Sequence, residues 1–223
     1  IEIAGAGAPA FLDRLCANDV VRDVGAVVYT QLLNRRGGIE CDLTVTRTAE
    51  DRFYLVTGTA FGNHDLAWIR RHAPEDGSVV ISDATSSRAT FGLWGPAARE
   101  ILAAATRDDV SDPAFPYLTS RRITVGNVPV LALRVTYVGE LGWELHGPAE
   151  YGVALWDALV AAGAVRRAGT GMADGLDIGA DAAAILAHLP ALVFFQGRDA
   201  EPTPLPPRLP RPVPVRPSHC IAP

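Results

Sequence analysis

YTQLLNRRGGIECDLTVTR, residues 29–47, predicts a β-strand that is entered through a pair of glycines. From residue 39 onward apolar and polar side chains alternate, which is the period of a strand with one buried face. The apolar set is Ile39, Cys41, Leu43 and Val45, and the polar set is Glu40, Asp42, Thr44 and Thr46. The strand therefore presents one carboxylate, that of Asp42, either to water or to a pocket.

Strands in hairpins alternate with separate helices on both sides of this stretch. We predict strands at 1–4, 23–34, 38–47 and 52–58, two more on either side of 83–87, a hairpin over 123–139 that turns at Gly126 and Asn127, and a strand at 143–145. We predict helices at 7–19 with Pro9 in the first turn, from an Asn63 cap to Pro74, at 96–106, and from Pro148 to Gly163 with Tyr151, Leu155, Leu159 and Val160 inward. This arrangement predicts an α+β fold of antiparallel sheets with flanking helices.

Composition excludes several classes of protein. The chain has 223 residues and a net charge of −5, which argues against nucleic-acid binding. No apolar run is long enough for a membrane span, and the first residues lack the pattern of a secretory signal. The three cysteines are far apart, without a CxxC pair or a histidine at ligand spacing. We therefore expect a cytoplasmic protein without a disulfide framework or a zinc site.

The pattern changes near Val165, which predicts two regions, 1–165 and 166–223. Ten of the 34 residues from Pro190 onward are proline, a composition that favours disorder or a polyproline II conformation. All 20 basic residues are arginine, as in the product of a GC-rich gene, so a frameshift is an alternative origin for the second region. The absence of an initiating methionine suggests a fragment of a longer chain.

A glycine pattern near the start imitates a nucleotide-binding fingerprint. Residues 5–10, GAGAPA, fit G-x-G-x-x-A between a strand and a helix. No second βαβ unit follows, and no acidic residue closes a second strand about 20 residues on. We therefore interpret the pattern as a tight strand-to-helix turn.

A second informative block is RVTYVGELGWEL, residues 134–145. Gly139 and Gly142 bracket a tight turn that contains Glu140. Glu144 follows on a strand between Trp143 and Leu145. By alternation alone it occupies either an exposed position or a pocket.

Four blocks together resemble the folate-binding domain of the glycine-cleavage T-protein (aminomethyltransferase) family. They are the two blocks above, RFYLVTGTAFGNHDLAWIRRH and FGLWGPAAREIL, and they span about 1–163. The motifs GGIE-x-DLTV and TYVGELGWE are closest to the branch fused behind flavin-dependent dimethylglycine and sarcosine dehydrogenases. The resemblance implies transfer of a one-carbon unit from a methylated-glycine-derived iminium to tetrahydrofolate, forming 5,10-methylenetetrahydrofolate.

The resemblance also implies roles for particular residues. Asp42 matches the family's aspartate beside the reactive nitrogens of tetrahydrofolate, where it acts as a base or stabilises the iminium. Tyr137 and Glu144 match residues that hold the pterin ring, and Thr44 is expected to add to the same site. FAD is expected only in an upstream flavin domain or in a partner subunit.

Two departures from the family pattern leave alternatives open. The family continues with a D-S-L-R-L-E-x-G segment and a C-terminal β-barrel, neither of which is visible in this sequence, so we expect a fold lacking that barrel. A folate-binding module without catalysis and a truncated, inactive product are therefore alternatives to an active transferase.

Overall fold

The computed structural model describes residues 1–136, 139–166 and 192–196, and these form an α+β structure, as predicted. The helices are α1 (Ala8–Leu15), α2 (Gly62–Arg71), α3 (Ala98–Ala105) and α4 (Gly152–Ala161). The strands are β1 (Glu2–Ala4), β2 (Val27–Leu33), β3 (Ile39–Ala49), β4 (Arg52–Thr57), β5 (Val80–Ser82), β6 (Arg88–Trp94), β7 (Ser120–Val125), β8 (Val128–Leu133), β9 (Gly142–Pro148), β10 (Val165–Arg166) and β11 (Leu192–Gln196). Within the described ranges no barrel closes, and no helix is long and apolar enough to cross a bilayer.

The strands form two sheets, each covered on its outer face by two helices. The first sheet has the order β2-β3-β4-β1-β5, and α1 and α2 pack on it around a core that includes Leu12, Leu43 and Ile69. The second has the order β10-β11-β6-β9-β8-β7, and α3 and α4 pack on it around Trp143 and Leu155. All neighbouring strands are antiparallel except β10 and β11. Each helix therefore buries its apolar stripe against one sheet face.

The two sheets with their helices are copies of one structural unit. Read from β7, the first five of the six strands in the second sheet have the order β7-β8-β9-β6-β11, which repeats β2-β3-β4-β1-β5. Helix α1 begins at Ala8 and α3 at Ala98, while α2 begins at Gly62 and α4 at Gly152, a separation of 90 residues in both cases. The backbone bridge that follows the first helix of each unit is also repeated, as Cys16 to Leu32 and as Thr106 to Val125. A position in one half can therefore be compared directly with its counterpart in the other.

The inner faces of the two sheets pack against each other. Val27 and Tyr54 from the first sheet form one buried cluster with Leu131, Leu133 and Val135 from the second. Backbone hydrogen bonds tie the same edge together, because Val27 donates to Leu118 and Ser120 donates to Gly25. We call the space between the two inner faces the inter-sheet layer.

Several local predictions are confirmed. Residues 5–10 form the strand-to-helix turn, where Gly5 has a φ of 121°. The hairpin turns at Gly126 and Asn127, as predicted, between β7 and β8. On β3 the apolar residues Cys41, Leu43 and Val45 are buried.

Other local predictions are wrong. Helix α2 is entered through a 3₁₀ turn and has Phe61 at its N-cap, so Asn63 lies inside its first turn. Tyr151 lies in the 3₁₀ turn before α4 and Val160 points away from its buried stripe, so both are exposed. Ile39 is exposed because it directly follows the turn at the open end of β3. Helix α1 ends at Leu15 because Cys16 is extended.

Replacing Gly142 by alanine is expected to destabilise the fold by at least about 1 kcal/mol. A β-carbon there would lie 2.5 Å from the carbonyl oxygen of Leu93 and 2.0 Å from the ring of Trp94. Urea unfolding measures the effect as a lower transition midpoint. Gly62→Ala is the matched control, since a β-carbon at Gly62 has no neighbour within 4 Å. Equal midpoints for the two variants would contradict this account of β9.

Candidate functional site

A buried histidine at the centre of the inter-sheet layer joins both sheets. The Nδ1 atom of His146 lies 3.2 Å from the hydroxyl of Tyr54 on β4 and 3.0 Å from that of Thr90 on β6. Its Nε2 atom lies 3.3 Å from Oε2 of Glu144 on the same strand. His146 is 1% exposed, so its ring nitrogens meet these three protein groups rather than bulk water.

The tautomer of His146 follows from its partners. Burial, opposed by Arg88 and reinforced by Glu144 and Glu2, raises the pKa of Tyr54 to about 12, so the phenol keeps its proton. A neutral imidazole with its proton on Nε2 fits both neighbours, because Nδ1 can then accept from the phenol and Nε2–H can donate to the Glu144 carboxylate. We adopt this tautomer below. His146 therefore fixes the orientation of Glu144.

An ion pair crosses the layer next to this network. The Arg88 guanidinium lies 2.8 Å from Oε1 of Glu2, which joins β6 to β1. Its carbon also lies 5.9 Å from the centre of the Tyr54 ring, within cation–π range. The ion pair therefore links the two sheets next to Tyr54.

Asp42 and Thr44 lie on the inner face of the first sheet, as alternation requires. On β3 the inner face carries Thr46, Thr44 and Asp42, and Thr46 pairs with Val27 and Tyr54 of the buried cluster. Thr46 is fully buried, Thr44 is half-buried and Asp42 is exposed, so the layer opens toward Asp42. The carboxylate of Asp42 accepts a hydrogen bond of 3.1 Å from Nε2 of Gln31.

Three of the four predicted site residues thus share the inter-sheet layer. Asp42 and Thr44 lie on the inner face of the first sheet, and Glu144 lies half-buried on the inner face of the second, paired with Leu133. The fourth, Tyr137, lies outside the described residues. The sequence-based prediction missed Tyr54, Thr90 and His146, although the alternation on β9 places His146 on the same face as Glu144, two residues away.

An open cavity adjoins the Glu144 side of the layer. It has a volume of about 460 Å³, and its walls include Tyr117, Arg134, Val135 and Gly142. Val135 belongs to the buried inter-sheet cluster, and Gly142 lies on the same face of β9 as Glu144. The cavity therefore lies next to the inter-sheet cluster, at the end of β9 from which Glu144 is two residues away.

Two buried hydroxyls have no hydrogen-bond partner within the described part of the chain. They are those of Thr46, on the inner face of β3, and Thr136, which lines the cavity. A buried hydroxyl normally has a partner, so the Thr136 hydroxyl in the cavity wall is available to a polar ligand. The Thr46 hydroxyl lies inside the packed part of the inter-sheet layer.

Replacing Tyr54 by phenylalanine is expected to lower the free energy of unfolding by about 1 kcal/mol, because His146 loses a buried donor. Chemical denaturation monitored by circular dichroism measures the loss. Tyr151→Phe is the matched control, because Tyr151 is exposed and its substitution leaves the interior unchanged. Equal stability of Tyr54→Phe and the native chain would argue against the proposed direction of the hydrogen bonds.

Comparison with known proteins gives consistent results. The family model for the GCVT N-terminal domain matches residues 1–185. Human mitochondrial dimethylglycine dehydrogenase is 39% identical over 163 residues, covering 73% of this chain and 19% of that protein. Aminomethyltransferase of Geobacillus thermodenitrificans is 36% identical over 165 residues, covering 74% of this chain and 44% of that protein. The crystal structure of glycine cleavage system aminomethyltransferase T from Bartonella henselae aligns with a TM-score of 0.61 and 28% identity, over 71% of this chain and 42% of that one. The chain thus spans about a fifth of the dehydrogenase.

Proposed function

Because the chain belongs to the GCVT N-terminal domain family, we propose that it transfers a one-carbon unit to tetrahydrofolate. The donor is an iminium derived from a methylated glycine, and the product is 5,10-methylenetetrahydrofolate. One observation carries the proposal: Asp42 and Glu144 lie on the inner faces of different sheets that pack against each other, and the unpaired hydroxyl of Thr136 lines the neighbouring cavity. This arrangement supports a ligand site that draws residues from both sheets.

In this proposal Glu144 binds the cofactor and His146 holds it in place. A carboxylate accepts two charge-assisted hydrogen bonds from adjacent N–H groups, which a pterin edge presents. His146 donates to one oxygen of Glu144, which prevents the side chain from rotating toward solvent. Thr44 and Tyr137 are proposed to complete the ligand contacts. His146 is a positioning residue, since it acts through Glu144.

Asp42 is proposed as the residue that handles the proton. A nucleophilic nitrogen of tetrahydrofolate bonds to the iminium carbon, and a second folate nitrogen then displaces the donor amine as the methylene bridge closes. Asp42 accepts the proton released there on a carboxylate oxygen, and its negative charge stabilises a cationic iminium. The opening of the layer at Asp42 suits this role, because a proton on an exposed carboxylate passes readily to water.

We further propose a flavin oxidoreductase as the partner that generates the iminium. The human relative is named as a dehydrogenase of dimethylglycine. FAD would bind in a separate domain or subunit, which would also choose the amine. A cytoplasmic location remains part of the proposal, as does the division into 1–165 and 166–223.

Isothermal calorimetry with folinic acid, a stable tetrahydrofolate derivative, tests the binding part of the proposal. We expect saturable binding with one site per chain. A coupled assay tests the transfer. It follows the formation of 5,10-methylenetetrahydrofolate from tetrahydrofolate and a one-carbon donor at the oxidation level of formaldehyde. Absence of heat at high ligand concentration with a folded protein would overturn the proposal. Binding without any rate acceleration would instead identify a folate-binding module without catalysis.

A further inference from the structure

A second cluster of chemically reactive side chains lies on the other side of β3 from Asp42. The Cys41 sulfur, a nitrogen of His64 and a carboxylate oxygen of Asp65 all lie within 4.8 Å of one another. Cys41 is 2% and Asp65 is 1% exposed, so two of the three groups are fully buried. The nitrogen Nδ1 of His64 lies 3.0 Å from Oδ1 of Asp65.

The duplicated architecture shows that the fold does not require polar groups at these positions. Helices α2 and α4 correspond residue by residue, so His64 and Asp65 match Ala154 and Leu155. Cys41 pairs with Leu32 on β2, just as Val128 pairs with Val125 on β7. In the second half Val128 and Leu155 are ordinary core residues.

A buried carboxylate in place of a leucine carries a cost that a specific role must offset. Removal of a charged group from water is unfavourable unless the group is paired or bound to a metal. Asp65 accepts a hydrogen bond from Thr57 and lies beside Nδ1 of His64. The first half therefore gathers three ligand atoms where the second half has Val128, Ala154 and Leu155.

We propose that Cys41, His64 and Asp65 bind a divalent cation of the zinc type. Thiolate, imidazole and carboxylate are the ligands that zinc takes in proteins. Tetrahedral zinc with bonds of about 2.0–2.3 Å separates its ligands by about 3.3–3.8 Å. The observed separations therefore require side-chain shifts of only about 1 Å. On binding, the cation replaces the thiol proton, which leaves to solvent.

Neighbouring groups provide the support that metal sites use. Nε2 of His64 lies 3.7 Å from Oε2 of Glu40. When Nδ1 of His64 binds the metal, the Glu40 carboxylate is therefore placed to interact with the other ring nitrogen. Oε1 of Glu40 in turn accepts a 2.8 Å hydrogen bond from Asn34. The side chain of His64 is 52% exposed, which gives a cation and a fourth ligand, water, access from one side.

The cation would fasten the first turn of α2 to β3. Because Cys41 and Asp42 point to opposite faces of the same strand, the metal site is separate from the inter-sheet layer. The proposal is therefore independent of folate binding, and either can fail without the other. It also identifies a ligand set that spacing along the chain does not show, since 22 positions separate Cys41 from His64.

Cobalt titration of the metal-free chain tests the proposal. We expect a single stoichiometric binding event with a thiolate-to-cobalt charge-transfer band, and displacement of cobalt by zinc. His64→Ala should weaken cobalt binding at least about tenfold, and Cys41→Val should abolish the band. Cys16→Ser is the matched control, because Cys16 is a partly exposed cysteine of the same half outside the cluster. It should keep the band.

The variant Cys41→Val/His64→Ala/Asp65→Leu gives the first half the residues of the second. It should remain folded by circular dichroism, bind no cobalt, and show no rise in melting temperature on adding zinc, whereas the native chain should show one. If the triple variant does not fold, His64→Ala decides alone, since it alters a half-exposed side chain. No charge-transfer band in the folded native chain, or an undiminished band in Cys41→Val, would overturn the proposal.

Discussion

Replacing Asp42 by asparagine is expected to lower the rate of transfer to tetrahydrofolate by about 10²–10⁴-fold. The amide keeps the size of the side chain but neither accepts the released proton nor carries the charge that stabilises an iminium. Affinity for folinic acid should change by less than about threefold, because Asp42 lies at the open end of the layer rather than beside Glu144. Single-turnover kinetics and calorimetry on the same preparation separate the two quantities.

The matched control for this variant is Asp13→Asn. Asp13 is exposed on α1, whose buried residues pack on the outer face of the same sheet, so it shares the charge change but not the layer. It should leave both rate and affinity unchanged. A native-like rate for Asp42→Asn would exclude the proposed proton transfer, and an equal fall in rate and affinity would make Asp42 a binding residue.

Local patterns were sufficient to predict the strand that carries Asp42. The alternation along β3 separates Cys41 and Leu43 from Asp42 and Thr44, and the structure places these pairs on opposite faces. The turn at Gly126 was predictable for the same reason, since it depends on neighbours in sequence. Such features follow from side-chain periodicity and turn chemistry alone.

The centre of the site was not predictable in this way. Tyr54 and His146 are 92 residues apart and meet only because two sheets pack face to face. Tyr54 lies in the unbroken apolar run 53–56, where alternation does not separate two faces, and His146 shares a face with Glu144. Periodicity contains no information on what covers either residue. Thr46 is the clearest case, because a threonine on the polar face of β3 is fully buried by the second sheet.

Comparison of the two repeated halves shows where the site is asymmetric. Tyr54 pairs with Thr46 and Glu144 pairs with Leu133, so Tyr54 and Glu144 are counterparts in the two halves. Tyr54 is buried in the layer, whereas Glu144 is half-buried and contacts His146. The equivalent positions of the two halves have therefore diverged: the first half has a packed tyrosine, and the second half has a charged carboxylate. We expect ligand affinity to depend mainly on the carboxylate of the second half.

Replacing Glu144 by glutamine is accordingly expected to weaken folinic acid binding by about 1–3 kcal/mol, or about 5–150-fold. Nε2 of His146 donates to one oxygen of Glu144, so the glutamine would turn its own oxygen toward His146. Its amino group would then face the cavity, where a pterin presents N–H donors, and donor would oppose donor. Calorimetry of the native and variant chains measures the loss.

Glu100→Gln is the matched control for Glu144→Gln. Glu100 is exposed on α3, and its substitution removes the same charge from the second half. It should bind folinic acid like the native chain.

Replacing His146 by asparagine adds a stricter test, since it leaves the carboxylate in place but removes the imidazole that orients it. If Glu144 acts as proposed, His146→Asn should lower affinity in the same direction as Glu144→Gln, and the double variant should lose less than the sum of the two, because both act on one contact. Full additivity would mean that His146 and Glu144 work separately, and an unchanged affinity in Glu144→Gln would place the pterin elsewhere.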